Sequence, residues 1–226
     1  MRDSDPATAK VVTRGRPRQI NRQRIVSAAR DLAPDGLTMQ AVADALGVDP
    51  KALNYHVGDR DTLRELVALD VFESELCRVA LVDDGDWRDV LRTYAHALRD
   101  AVVKLGVLVT YFRLPATGIG ALEPVERILR ILVGVGFSAD QAGHALRLVT
   151  ELGHAAGREA IFVTQGQAPP NVPEVTTALE GAAEGAFPVL QQVIAGRNDD
   201  AGDVHQLEFS MNVVVEGLER LLASAG

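Results

Sequence analysis

Apolar residues recur at helical spacing along most of the chain, and beyond residue 85 no segment alternates apolar and polar positions as a half-buried strand would. Ile25, Ala28, Ala29 and Leu32 fall at i, i+3, i+4 and i+7 and predict a first helix over 21–33, ended by Pro34-Asp35-Gly36. Thr38 is a good N-cap for a short helix carrying Val42, Ala45 and Leu46, and Gly47 supplies the positive φ that ends it. Asp49 caps a second short helix with Pro50 in its first turn, continued by Ala52, Leu53 and Tyr55 to Val57. A long helix over 60–82 turns Leu63, Leu66, Val67, Val71 and Phe72 inward. Further helices are expected over 86–105, 107–113, 124–134, 138–164, 175–194 and 204–223, separated by Pro- and Gly-rich breaks.

Two short helices joined by a tight glycine turn form a helix-turn-helix unit, whose second helix can lie in the major groove of DNA. In that geometry Gln40 and Asn54 carry amides that can bond bidentately to adenine, Lys51 can reach guanine or a phosphate, and the Ala52 methyl can meet a thymine methyl. Thr38, Tyr55, His56 and Arg60 complete the expected DNA-contacting set, Tyr55 and His56 as backbone-positioning groups.

Between Ile25 and Leu66 the residues resemble the N-terminal domain of the tetracycline-repressor (TetR) family. Ile25, Ala28, Ala29 and Leu32 are similar to the family's first-helix core, Gly36-Leu37-Thr38 to the start of its second helix, and Val42-Ala43-x-x-Leu46-Gly47-Val48 to its turn. Leu53-x-Tyr55-His56-Val57, then Gly58-Asp59-Arg60 and Leu63, resemble its recognition helix and the start of its fourth helix. Asn54 stands where an aromatic residue is common, Arg60 where lysine is common, and Gln40 where some members carry a base-reading arginine. These departures bear on which operator is read rather than on the fold. The resemblance implies a phosphate contact for Arg60.

The net charge of -8 argues against a DNA-binding protein until its distribution is considered. Residues 1–64 hold 11 Lys+Arg against 8 Asp+Glu, a balance of +3, and the remainder holds 12 against 23, a balance of -11. Positive charge is kept where a polyanion would need it. Residues 1–18 read as a flexible basic arm in which Arg14-Gly15-Arg16-Pro17-Arg18 resembles an AT-hook core. Arg14 and Arg16 either enter a narrow minor groove or belong to a solvated tail that touches phosphates.

The lone Cys77 excludes an intramolecular disulfide and a Cys-cluster zinc site, and is expected to be a buried bystander thiol. No apolar run approaches the roughly 20 residues that span a membrane, and no secretory leader is visible, so a cytoplasmic protein without membrane partners is expected.

The fold class expected is all-α: a three-helix helix-turn-helix DNA-binding domain over 19–64 and a larger helical ligand-binding and dimerisation domain over 65–226. Phe72, Tyr94, Leu98, Tyr111, Phe112, Arg113, Leu129, Val133 and Arg147 are the candidate lining of an effector pocket, with the arginines favouring an anionic or carbonyl-bearing small molecule if they face inward. Thr110 to Pro115 loosely resembles a pocket-lining stretch of that family. The resemblance also implies a homodimer in which the 138–164 helix and the last helix pack against their copies. Gly153, Ala156, Gly157 and Ala160 are its expected residues on the first, and Leu207, Met211, Val214, Leu218 and Leu221 on the second. Small side chains let a partner backbone approach closely.

His144, Arg147, Glu151, His154 and Arg158 share one helix face, and Glu151-x-x-His154 has the spacing of carboxylate-bridged di-metal bundles. A second Glu-x-x-His is absent from the sequence, so no metal or other cofactor is expected, and the face reads as a polar seam. The expected function is a ligand-responsive, non-enzymatic transcriptional regulator, most simply a repressor on a palindromic operator. A helical-bundle metalloenzyme and an acidic protein-interaction module are the alternatives.

Overall fold

The computed structural model describes residues 20–78, 85–113, 122–167, 172–183, 185–197 and 202–224. They form ten α-helices and no strand: α1 Arg22–Arg30, α2 Met39–Leu46, α3 Pro50–Val57, α4 Arg60–Arg78, α5 Trp87–Leu105, α6 Leu122–Gly134, α7 Ala139–Thr164, α8 Val172–Glu180, α9 Pro188–Arg197 and α10 Gly202–Ser224. Arg14 and Arg16 lie outside the described residues.

Local chemistry sets the head, α1 to α3. Asn21 caps α1 by accepting from the Arg24 N–H at 2.9 Å. That helix stops at Arg30 rather than residue 33, because Pro34 disfavours helical backbone at Ala33, which is extended at φ -60° and ψ 136°. Thr38 accepts from the Ala41 N–H at 3.1 Å, Gly47 ends α2 at φ 68°, and Asp49 caps α3 through the Lys51 N–H at 2.8 Å. Ile25, Ala29, Leu37, Val42, Leu53, Val57, Leu63 and Val67 bury the head's interior.

Long helices build the body. The most extensive pair is α5 with α7, and glycine permits it. A Cβ at Gly153 would stand 2.7 Å from the Ala95 carbonyl oxygen, and one at Gly157 would stand 2.6 Å from the Val102 Cβ. Gly153, Ala156, Gly157 and Ala160 are therefore buried within one protomer, which corrects their expected place between copies. Leu207, Met211 and Leu218 of α10 are likewise buried within the protomer, joined by Val215, while Val214 is half-buried and Leu221 exposed.

The expected helix over 175–194 is two helices. Gly181, Gly185 at φ 75° and Pro188 interrupt it, and neither α8 nor α9 contributes a buried residue among those described. The expected 107–113 helix is a 3-10 helix over Gly106–Tyr111.

Head and body share α4. The head's apolar core continues along α4 to Val71 and takes in Leu105 and Leu108 from the end of α5 and the 3-10 helix, so the expected boundary at 64 falls inside one helix. Arg64 donates to the Tyr111 hydroxyl at 2.7 Å with its guanidinium over that ring, Phe72 packs on Phe112 with centroids 4.2 Å apart, and Lys104 pairs with the buried Glu75 carboxylate at 2.6 Å. Cys77, expected to be buried, is exposed.

Candidate nucleic-acid interface and effector groove

On α3, Leu53 and Val57 face the core while Lys51, Asn54 and Tyr55 are exposed at i, i+3 and i+4. Tyr55 is 90% exposed, an arrangement with no packing benefit inside the protomer. Its ring meets His56 edge-on, centroids 5.3 Å apart, and His56 and Ala52 are half-buried. Gln40, exposed on α2, donates from Nε2 to Asp44 at 2.8 Å; its second Nε2 hydrogen and its carbonyl oxygen are left for an adenine edge. Thr38 spends its oxygen on the cap and keeps a hydroxyl proton to donate.

Arg60 does more than the sequence implied. Its Nε donates to the Leu37 carbonyl at 3.3 Å, tying the start of α4 to the segment leading into α2 and fixing where its remaining N–H groups point. Asp59 caps α4 through the Thr62 N–H at 2.8 Å, and the Thr62 backbone and hydroxyl bonds hold its carboxyl below the usual range.

The candidate pocket residues divide. Tyr94, Leu129 and Arg147 line a groove between α6 and α7, floored by α5, together with Val125, Gly143, Leu146, Thr150 and Glu151; its volume is about 440 Å³. Val133 lines an adjoining cavity of about 430 Å³ with Glu126, Leu129, Arg130, Gly134, Ala139 and Ala142.

The other five candidates are used elsewhere. Phe72 and Phe112 stack on each other, Leu98 is fully buried against Gly153, Tyr111 bonds Arg64, and Arg113 is exposed, its Nη1 donating to the Thr110 and Phe112 carbonyls. Gly143, Leu146 and Thr150 were missed because periodicity marks a helix's inward face without naming the neighbour it faces. Their spacing with Arg147 was the available signal.

The polar seam resolves into local pairs. Arg147 donates to Glu151 at 3.1 Å, His144 stands 3.5 Å from Asp140, and burial, with the Arg158 charge, lowers the pKa of His154. Among the described residues no three His, Cys, Asp or Glu side chains gather as a metal site.

A three-helix head presenting an exposed helix face, carried on a helical body with an apolar groove, is the architecture of a DNA-binding regulator that responds to small molecules. Residues 81–222 match the family described as tetracyclin repressor-like, C-terminal domain, and the chain belongs to it. The tetracycline repressor protein class A from transposon 1721 of Escherichia coli is 27% identical over 202 residues, covering 87% of this chain and 89% of that protein. The class C repressor of the same organism is 28% identical over 138 residues, which span 58% of this chain and 62% of that protein. A crystal structure of a protein described as a possible TetR family transcriptional regulator from Streptomyces coelicolor A3(2) superposes with a TM-score of 0.71 at 25% identity, covering 89% of this chain and all of that one. The family consists of transcriptional regulators, not enzymes, and both the metalloenzyme and interaction-module alternatives are set aside.

Proposed function

We propose that this chain acts as a homodimeric repressor that occupies a palindromic operator and is released by a small molecule bound in the α6–α7 groove. The observation that carries the DNA-reading part is the outward triad Lys51, Asn54 and Tyr55 on a helix whose other face is locked into the head. One short recognition helix gives limited affinity, and a two-fold dimer reading two half-sites multiplies it.

For pairing, α7 and α10 remain the proposed helices, through Leu221 of the residues expected from the sequence and otherwise through different ones. Their outward apolar side chains include Leu148 and Val163 on α7 and Val204, Phe209, Val213 and Leu221 on α10, with Phe209 66% exposed. No described helix is long and apolar enough to cross a membrane, and the proposed site of action is the cytoplasm, where the operator lies.

Release is a population shift. Tyr94 in the groove belongs to α5, whose C-terminal Leu105 packs in the head's core and whose continuation bears Tyr111 against Arg64. An effector that binds more tightly when α5 and α4 are rearranged biases the heads away from operator spacing, by no more than that difference in affinity. The test is binding of the purified protein to its own upstream DNA at several salt concentrations, against a scrambled duplex of equal length. Palindromic protection with preference over the scrambled duplex supports the reading; equal binding to both at every salt concentration contradicts it.

A further inference from the structure

The groove's chemistry narrows what it accepts, given that it is the effector site proposed above. Its charged side chains are already matched. Arg147 pairs with Glu151 at 3.1 Å, and in the adjoining cavity Arg130 pairs with Glu126 at 3.3 Å. Among the described lining residues each cavity therefore presents one cation beside one anion at an exposed rim, and the two charges balance. Between the rims the surface is Val125, Leu129, Leu146 and the bare backbone of Gly143.

One polar group at the floor is poorly used. Tyr94 is 3% exposed, and among the described residues its hydroxyl meets the Thr150 hydroxyl oxygen alone, at 3.5 Å. Thr150 commits its own proton to the Leu146 carbonyl at 2.8 Å, so Tyr94 is the donor in that long contact. A buried hydroxyl left with such a bond gains from an acceptor brought to the ordinary O–H···O distance of roughly 2.7–2.8 Å. Burial also raises the Tyr94 pKa, which keeps the phenol protonated and a donor near neutral pH.

We infer that the effector is an uncharged, largely apolar molecule bearing a carbonyl-type oxygen, which accepts from the Tyr94 hydroxyl at the buried end of the groove. Gly143 supplies room for the body of the molecule, since a Cβ there would meet no atom of the described residues within 4 Å. Glu151 balances the charge of Arg147 at the exposed mouth, and the selecting contact is assigned to Tyr94 rather than to an arginine.

The experiment uses the full chain and three fluorescent probes: the neutral naphthyl ketone prodan, neutral phenylnaphthylamine, which lacks a carbonyl, and its anionic counterpart anilinonaphthalene sulfonate. The wild type should bind both neutral dyes saturably and the sulfonate more weakly than phenylnaphthylamine. Tyr94→Phe should weaken prodan roughly tenfold and shift its bound emission to the blue, with phenylnaphthylamine changed less than about twofold. Gly143→Leu should displace both neutral dyes while leaving the far-ultraviolet circular dichroism unchanged.

Equal losses of the two neutral dyes in Tyr94→Phe, no loss of prodan, tighter binding of the sulfonate, retention of the dyes by Gly143→Leu, or no saturable binding by the wild type would each overturn the inference. Operator binding without dye is read separately. Its failure would count against the repressor reading and leave the dye result standing.

Discussion

The head and the body are both helical, yet they are held together in different ways. In the head, α1 to α3 are 9, 8 and 8 residues long, too short to persist alone in water, where isolated helices below roughly 12–15 residues are marginal. Each begins with a side-chain cap, and their stability comes from one shared core around Ile25, Leu37, Val42 and Leu53. In the body, α5 and α7 run 19 and 26 residues, and what joins them is the absence of side chains at Gly153 and Gly157. Local signals build the head; close backbone approach between distant segments builds the body. A DNA-reading surface thus sits on short helices that depend on one shared core, while the groove belongs to a larger frame.

That contrast can be broken most forcefully at Leu53. It is fully buried on the inner face of α3, and Leu53→Ala should destabilise the head by about 3–4 kcal/mol, read as an early unfolding phase or a lowered denaturant midpoint. The body's side is tested by one substitution at two sites. Gly157→Ala drives a methyl into the Val102 Cβ and the Arg99 carbonyl oxygen and should lose about 2 kcal/mol, whereas Gly143→Ala meets open space and should gain about 0.5–1 kcal/mol. A gain at both positions would return the small residues of α7 to a role between copies.

Asn54→Ala leaves the head folded and should weaken operator binding by about 1–3 kcal/mol while relaxing the preference at one base pair. An equal loss on all duplexes would reduce Asn54 to a backbone contact. The smallest effect is a pH slope. Burial, with the Arg158 charge, depresses the His154 pKa in the folded protein, so the unfolded chain takes up that proton first as pH falls. Stability should be insensitive to this group well above its unfolded value, decline as pH falls from about 6.5 through the folded pKa, and level off below it. His154→Gln should flatten that part of the denaturation profile.

Much of the head was legible because its determinants lie within a few residues of the elements they control. Thr38, Gly47, Asp49 and Pro50 each act on their own helix end, and the order of Leu53, Tyr55, His56 and Val57 separates inward from outward positions. The body's helices were equally legible, and their neighbours were not. Gly153 and Gly157 read as a surface for a partner backbone, and the partner is α5 of the same chain, a relation that helical periodicity does not encode. Phe112 and Tyr111 read as pocket residues, and they bind Phe72 and Arg64 because the 3-10 helix ending at Tyr111 folds back on α4. The break between α8 and α9 was written in Gly181, Gly185 and Pro188, but the flanking apolar residues Val175, Leu179, Val189 and Val193 continue at near-helical spacing and mask it.

Selection of bound sequences from a random duplex library, at a salt concentration high enough to suppress phosphate-only binding, tests the central claim most directly. The account predicts enrichment of a palindrome whose half-sites lie about 10 base pairs apart, centre to centre, or a multiple of that, with Asn54→Ala degenerate at one position of each half. Enrichment of no sequence, or of a single unpaired half-site, would contradict a dimer reading its operator through α3.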